Sequence, residues 1–305
     1  MATETLFQHL FNALQWGSFY SLIALGYTLV YGVLRLINFA HGDIFMVGAY
    51  LAFFMATFLF KDGLGLSGGA TLAVVVPLTM VLTAACGVAL ERIAYRPLRR
   101  KGANRLYVVI TALMCGLMLE YGNLAVLGAS RRSFPELLDK TVYQVGPVSM
   151  TNLKVIVILI AVAVFLLLHT FVHRTRMGLA MRAVAYDRFA IPLMGISLDA
   201  VIVATFFLGS SLAGLAGVLY ALSYPVLDPF MGAMLGWKAF IAAVVGGIGD
   251  IRGAFVGGFL LGFVEILVVA AFPSTFRDLI AFSILLTLLV IKPTGLFGTA
   301  QATKI

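Results

Sequence analysis

Long apolar runs separated by short polar segments make up most of this 305-residue chain. One run, 153–172, reads LKVIVILIAVAVFLLLHTFV and shows no alternation of apolar and polar positions. A helix of about 20 apolar residues spans the hydrocarbon core of a bilayer, whereas barrel strands alternate over about 10 residues. The pattern therefore predicts an all-α polytopic membrane protein with about eight to ten transmembrane helices. The predicted spans are 12–34, 43–60, 70–90, 106–128, 153–172, 200–222, 253–272 and 278–291.

Two stretches interrupt this pattern, one in each half of the chain. The first, 35–48 (RLINFAHGDIFMVG), and the second, 223–253, both place polar residues and glycines inside apolar sequence. Within the second stretch, 237–249 is long enough for a half-helix or a short span. Each stretch taken alone is compatible with an ordinary loop. Paired interruptions in the two halves are typical of an internal repeat whose broken or short helices line a central pathway, and we favour that interpretation.

Basic residues concentrate in two loops, at about 91–105 and 173–198. Because loops rich in Lys and Arg stay on the cytoplasmic side of a membrane, both loops are predicted to be cytoplasmic. The loop between them, 129–152, mixes both signs of charge and is predicted to be external. Alternation of the spans then predicts a cytoplasmic tail after Lys292 and an external N-terminus.

Composition favours a single transmembrane domain over residues 1–305. Hydrophobic residues make up 62% of the chain and charged residues 11%, with a mean hydropathy of +1.05. Soluble domains average about 45–50% apolar and about 25% charged residues, so a soluble fold is excluded. The net charge of +8 does not indicate nucleic-acid binding, because the basic residues lie in short loops between spans. The N-terminus does not resemble a removable signal peptide, and Cys86 and Cys115 fit small core residues inside spans.

Motifs for catalysis and cofactor binding are absent from the sequence. It contains no phosphate-binding G-x-x-x-x-G-K-[ST] and no H-E-x-x-H. The run 247–253 (GIGDIRG) lacks the spacing of a dinucleotide-binding loop. We therefore expect no enzymatic activity, no bound cofactor and no metal site in this chain.

Candidate pathway residues come from the interrupted stretches and from carboxylates inside spans. A carboxylate inside a bilayer is costly and usually faces a bundle interior or a cavity. Glu120 and Glu265 therefore either line a pathway or accept hydrogen bonds from a neighbouring helix, and His41 is expected to be structural. The candidate pathway residues are Asn38, His41, Asp43, Glu120, Asp228 and Glu265. The glycines expected to allow close helix packing are Gly246, Gly247, Gly249, Gly258 and Gly262, of which the last two form a GxxxG pair.

The second basic loop contains a predicted amphipathic helix over about 178–189. Pro192 is expected to end this helix, and Gly195 to turn the chain into the next span. Such a helix either docks in a groove of a partner protein or lies on the lipid interface. Its predicted apolar face comprises Met181, Val184, Ala185 and Phe189, and the polar residues on its other side are Arg182, Asp187 and Arg188.

Several motifs carry a family resemblance. The run 177–196 resembles the cytoplasmic coupling loop of ABC importer permeases. Four further motifs make the chain similar to the LivH-type permeases of branched-chain amino acid importers, over about 17–295. They are GYTLVYG at 26–32, INFAHGD at 37–43, ERIAYRPL at 91–98 and AVVGGIG at 243–249.

The resemblance implies a multi-pass permease subunit of a bacterial-type cytoplasmic membrane that forms half of a translocation pathway. Its implied partners are a second homologous permease, two cytoplasmic ATPases and an external substrate-binding protein, with ATP and Mg²⁺ bound by the ATPases. Because the binding protein usually carries selectivity in such importers, we expect a mostly apolar pathway without a tight site. Relatives are thought to carry branched-chain and other amino acids, urea, short amides or aromatic acids, so the substrate stays open.

The resemblance also implies that the coupling loop seats in a cleft of an ATPase. Arg182, Asp187 and Arg188 would then make the polar contacts, while Met181, Val184 and Phe189 fill the groove. The implied coupling-loop residues are Arg176, Gly178, Met181, Arg182, Val184, Ala185, Asp187, Arg188, Phe189, Ala190 and Gly195.

Other classes of membrane protein share some of these features. An ion-coupled secondary transporter would also have broken helices and intramembrane carboxylates, but it would need no ATPase partner. A ribose-type sugar permease stays within the ATP-driven class, and the motif at 37–43 disfavours it. A membrane scaffold without transport activity would gain little from a core interrupted by polar residues.

Overall fold

The structure, a computed structural model, describes residues 2–62, 65–145, 148–187, 190–193 and 195–298. Arg188 and Phe189, two of the predicted coupling-loop residues, lie outside these ranges. The α-helices are α1 (Ala2–Leu34), α2 (His41–Ala56), α3 (Gly68–Leu90), α4 (Arg96–Arg100), α5 (Arg105–Leu127), α6 (Asn152–Arg174), α7 (Arg176–Tyr186), α8 (Ala190–Leu193), α9 (Leu198–Ser223), α10 (Met231–Gly247), α11 (Ile251–Ala271) and α12 (Arg277–Ile291). The strands are β1 (Arg132–Ser133), β2 (Val142–Val145), β3 (Val148–Thr151) and β4 (Val226–Leu227).

Eight helical stretches in the described ranges are long and apolar enough to cross a membrane, and each matches a predicted span. Pi-helical turns, Thr57–Asp62 and Glu91–Tyr95, extend α2 and α3 at their C-terminal ends. The short segment predicted at 237–249 belongs to α10, which begins at Met231 and has 17 residues. A helix of that length rises about 25 Å, slightly less than the hydrocarbon core of about 30 Å. The prediction of an all-α polytopic membrane protein is confirmed.

Helix α1 lies at the centre of the bundle, with 89% of its most apolar window buried. Its long contact with α11 depends on glycine. A Cβ added at Gly258 would lie 2.5 Å from the Cα of Ser21, and a Cβ added at Gly262 would lie 2.6 Å from the Cα of Gly17. A missing side chain lets two helix backbones approach this closely, and the GxxxG pair lies at this contact.

The two interrupted stretches meet in space. Residues 35–40 turn back from the end of α1, so that α2 begins beside Gly26, about 12 Å along α1 from Leu34. Residues 224–230 likewise precede α10. An added Cβ at Gly236 of α10 would lie 2.7 Å from the Cα of Gly42 in the first turn of α2. Two helices that start inside the bundle therefore converge near their N-termini.

The predicted packing glycines of the 246–249 segment divide into two roles. Gly246 packs against α11, because its added Cβ would lie 2.5 Å from the carbonyl carbon of Gly253. Gly247 and Gly249 have φ angles of +112° and +101°, which L-residues with a side chain adopt only with strain. Gly249 is therefore a turn glycine and not a packing glycine, since no atom lies closer than 3.6 Å to its added Cβ. The sharp turn between α10 and α11 requires these positive φ angles at Gly247 and Gly249.

The small strands lie at one end of the bundle and were not predicted. β1 pairs with β4 and β2 with β3, both antiparallel. Gln8 near the N-terminus accepts a hydrogen bond from the N–H of Ser149 at 2.9 Å. The N-terminus and the 129–152 loop therefore lie at the same end of the bundle, as the alternation of spans predicts.

Candidate substrate pathway and coupling helix

A cavity of about 250 Å³ opens where α2, α5 and α10 converge. Its walls combine apolar side chains with glycine backbone and two carboxylates. Of the predicted pathway residues, the structure brings Asp43 and Glu120 into this cavity. The residues that form its apolar walls include Phe39, Leu113, Met114, Leu117 and Trp237.

The Asp43 carboxylate occupies a space that two glycines leave open. A Cβ added at Gly116 of α5 would lie 2.5 Å from Oδ2 of Asp43, and a Cβ added at Gly232 of α10 would lie 2.8 Å from its Oδ1. Asp43 is only 6% exposed, and its Oδ1 finds no hydrogen-bond donor in the described part of the chain. The site therefore holds a buried carboxylate oxygen whose hydrogen-bonding capacity is unused within the described residues.

Two predicted pathway residues lie beside the cavity without lining it. His41 is buried against Tyr27, with their ring centroids 4.7 Å apart. Asn38 is buried and accepts a hydrogen bond from the Tyr95 hydroxyl at 2.7 Å. Their contacts attach the interrupted stretch to α1 and to the end of α3, which indicates structural roles for both.

Asp228 lies at the end of the bundle that carries the small strands, directly after β4, and not in the cavity. It forms an ion pair with Arg131 at 3.0 Å, and its Oδ1 accepts a hydrogen bond from the N–H of Phe230 at 3.0 Å. The carboxylate therefore fastens the chain just before α10 begins. Asp228 does not line the cavity in this structure, because both of its contacts are to the segments around β1 and β4.

Glu265 also lies outside the cavity, in a buried ion-pair network that sequence reasoning missed. Its Oε1 is 2.8 Å from Nζ of Lys238, and its Oε2 accepts a hydrogen bond from the Tyr20 hydroxyl at 2.8 Å. Lys238 also contacts Asp278 at 2.7 Å, and Asp278 contacts Arg277 at 3.1 Å. The four charges cancel, so this network stabilises the packing of α10, α11 and α12 around α1. The sequence feature that could have indicated this ion pair is a lysine and a glutamate inside two consecutive apolar segments.

Helix α7 is the amphipathic helix predicted in the second basic loop. Thr175 begins it by accepting a hydrogen bond from the N–H of Gly178 at 3.0 Å, a typical N-cap. It ends at Tyr186, before Pro192, which instead lies in the short helix α8. Gly195 has a φ of +74° and turns the chain toward α9 as predicted.

The apolar face of α7 points into the protein's own bundle, contrary to the expected docking face. Met181 and Val184 are 1% and 0% exposed, so they anchor the helix and cannot fill a groove of another protein. Ala185 is half-buried, and Gly178 packs tightly on α6, where its added Cβ would lie 2.5 Å from the carbonyl oxygen of Phe171. The helix has an internal apolar face because the bundle beneath it is itself apolar.

A different face of α7 is exposed. Leu179 and Tyr186 are 60% and 84% exposed, and Arg182 lies between them at helical spacing on the same side. Arg176 and Asp187 are also exposed at the two ends of the helix. Leu179 and Tyr186 were not among the predicted residues, although the spacing of 179, 182 and 186 marks one helix face.

A cluster of charges ties the first basic loop to the start of α9. Arg99 lies 2.6 Å and Arg100 3.0 Å from the carboxylate of Asp199, and Arg96 also contacts it. Arg99 additionally lies 3.0 Å from the buried carboxylate of Glu91. The segment that follows the second basic loop is thereby fixed to the end of α3 and to α4.

The chain matches the family model described as "Branched-chain amino acid transport system / permease component" over residues 9–291. It is 39% identical to the high-affinity branched-chain amino acid transport system permease protein BraD of Pseudomonas aeruginosa, covering 98% of this chain and 97% of that protein. It is 37% identical to LivH of Escherichia coli K12 with the same coverage. A probable LivH of Methanocaldococcus jannaschii is 28% identical over 91% of this chain and 88% of that protein. The chain belongs to the family of permease components of branched-chain amino acid transport systems.

Proposed function

We propose that this multi-pass inner-membrane permease forms half of the translocation pathway of an ATP-driven importer of branched-chain amino acids. A second homologous permease completes the pathway, and an external binding protein delivers the substrate. Two cytoplasmic ATPases bind ATP and Mg²⁺ and supply the energy. The relatives named BraD and LivH support the substrate class, because the chain is similar to them over almost its whole length.

The observation that carries the coupling role is the two-faced helix α7. Met181 and Val184 fix it to the bundle, while Leu179 and Tyr186 face outward. A large aromatic side chain on an exposed helix is typical of the residues that dominate protein interfaces. An ATPase that grips this outer face would move α7 together with the helices beneath it. Arg182 and Asp187 would supply polar contacts at the edge of the same surface.

The ionic cluster at Asp199 gives this movement a path into the membrane. Because Asp199 lies in the first turn of α9 and its carboxylate contacts the arginines of α4, displacement of the coupling loop pulls on α3 and α4 as well. Tyr95, in the turn that extends α3, donates a hydrogen bond to Asn38 in the interrupted stretch before α2, and so links the end of α3 to that stretch. Rearrangement at the ATPases would therefore reach the half-helix that lines the cavity.

Transport and coupling are tested with the complete importer in proteoliposomes. We expect leucine uptake with internal ATP and no ion gradient, and a gradient requirement without ATP would instead indicate a secondary transporter. Tyr186→Ala should lower both co-purification of the ATPases and uptake, since it removes an exposed anchor. The control Tyr143→Ala removes another exposed tyrosine, 57% exposed in β2, and should change neither. Unchanged ATPase retention in Tyr186→Ala would place α7 on the lipid interface.

Competing substrates are distinguished in the same preparation. Uptake of urea, a short amide or an aromatic acid, in place of leucine, valine and isoleucine, would assign the chain to a different substrate within the same importer class.

A further inference from the structure

We propose that the cavity between α2, α5 and α10 is a weak transit site for a zwitterionic amino acid, with separate places for its ammonium and carboxylate groups. The inference rests on the proposed import function and adds to it a position along the pathway.

Two carboxylates form the acidic side of the cavity. Asp43 and Glu120 both line it, and none of the described residues lining it is a lysine or an arginine. Asp43 presents a buried oxygen, Oδ1, that has no donor in the described chain. A carboxylate in a low-dielectric site favours a cation that brings its own hydrogen-bond donors. An ammonium group, with three donors, supplies both the charge and the hydrogen bonds.

The first turn of α10 adjoins this acidic side, because a Cβ added at Gly232 would lie 2.8 Å from Oδ1 of Asp43. Phe230 precedes the helix without a side-chain cap, and the N–H groups of Phe230 and Met231 are taken by Asp228. The next N–H groups belong to Gly232 and Ala233, which line the cavity. Donors in the first turn of a helix have no acceptor within the helix, and the helix dipole favours an anion there. A carboxylate group is complementary to this end.

Broken helices with this orientation recur where membrane proteins hold small charged solutes, because the first-turn donors face the pathway. Here the glycines do more than break the helix. Gly232 carries one of the donors and lies beside Asp43, and its missing side chain keeps the carboxylate and the first-turn donors within reach of one small molecule.

The rest of the cavity suits an apolar side chain of modest size. Phe39, Met114 and Trp237 line it. Its volume of about 250 Å³ lies below the range of about 300–1,000 Å³ typical of pockets for drug-sized ligands. One amino acid with an aliphatic side chain fits this combination of size and surface. Because an importer must release what it carries, binding is expected only at millimolar substrate.

The electrostatic part is tested by cysteine labelling of the assembled importer. Ala233→Cys is introduced into a background with Cys86→Ala and Cys115→Ala, and positively and negatively charged methanethiosulfonate reagents are compared. With each rate divided by the rate of the same reagent on a free thiol, we expect the positive reagent to react about tenfold faster than the negative one. The double variant Asp43→Asn with Glu120→Gln should remove this preference. Glu136→Gln, an exposed carboxylate of the outer loop, is the matched control and should retain it. If the Ala233→Cys protein does not assemble, Met114→Cys in α5 reports on the same cavity.

The ligand part uses three compounds of similar size. Leucine should slow labelling at millimolar concentration, whereas 4-methylpentanoate, which lacks the ammonium, and 3-methylbutylamine, which lacks the carboxylate, should not. Equal protection by the amine would reduce the site to a cation site and overturn the zwitterion assignment. No protection and no charge preference would make Asp43 only an internal counter-charge for the helix N-termini.

Leucine uptake is measured on the same preparation to separate the two proposals. Uptake without protection overturns the transit site alone. If the wild-type importer takes up no leucine, the proposed substrate is wrong, and the comparison of the two reagents, which needs no substrate, still decides whether the acidic side exists.

Discussion

The buried pair of Lys238 and Glu265 gives a prediction whose size follows from the charges around it. In Lys238→Met, Glu265 keeps its hydrogen bond from Tyr20 but loses its cation, and removing one partner of a buried pair costs about 3–5 kcal/mol. In Glu265→Gln, Lys238 keeps Asp278 at 2.7 Å, so a smaller loss of about 1–3 kcal/mol is expected. The double variant leaves Arg277 paired with Asp278 and the cluster neutral, so it should regain most of the stability.

The assay is the apparent melting temperature of the purified permease in detergent, followed by loss of the monodisperse peak in size-exclusion chromatography. About 2–4 °C per kcal/mol places Lys238→Met roughly 6–20 °C below wild type. Lys140→Met is the matched control, because its pair with Glu136 is exposed and such pairs contribute about 0–1 kcal/mol. A double variant as unstable as the sum of the two single variants would show that the pair is not an energetic unit, and the reasoning would be refuted.

Three further variants test the backbone features of the fold. Gly262→Leu should abolish packing of α1 against α11 and with it the yield of monodisperse protein, because even a Cβ would lie 2.6 Å from the Cα of Gly17. The control Gly69→Ala in α3, where an added Cβ meets no atom within 4 Å, should preserve that yield or raise it. Asp250→Ala removes the oxygen that accepts hydrogen bonds from the first turn of α11 and should lower stability by about 1 kcal/mol in the same thermal assay; an unchanged melting temperature would contradict the capping role. Gly195 has open space for a Cβ but a φ of +74°, so Gly195→Ala should introduce about 1–2 kcal/mol of strain in the loop. This variant should lower uptake, while the substrate affinity of the external binding protein stays at the wild-type value.

The sequence by itself determined the number and placement of the spans, the two interruptions and the position of the amphipathic helix. These follow from properties of single segments. Twenty consecutive apolar residues predict a span wherever they occur, and a basic loop predicts a cytoplasmic side. The GxxxG spacing at Gly258 and Gly262 was also sufficient to predict close contact, because only the two glycines are needed for it.

The tertiary structure decided which side of each element faces which neighbour. Met181 and Val184 formed an apolar stripe in the sequence, but whether this stripe met an ATPase or the protein's own bundle depended on what lies beneath α7. Glu265 became structural because Lys238 and Tyr20, on two other helices, reach its oxygens. Asp43 and Glu120 came to share a cavity because α2 and α5 pack side by side. Hydropathy gives each helix its place in the bilayer, whereas rotation about the helix axis is set by packing between segments far apart in the chain.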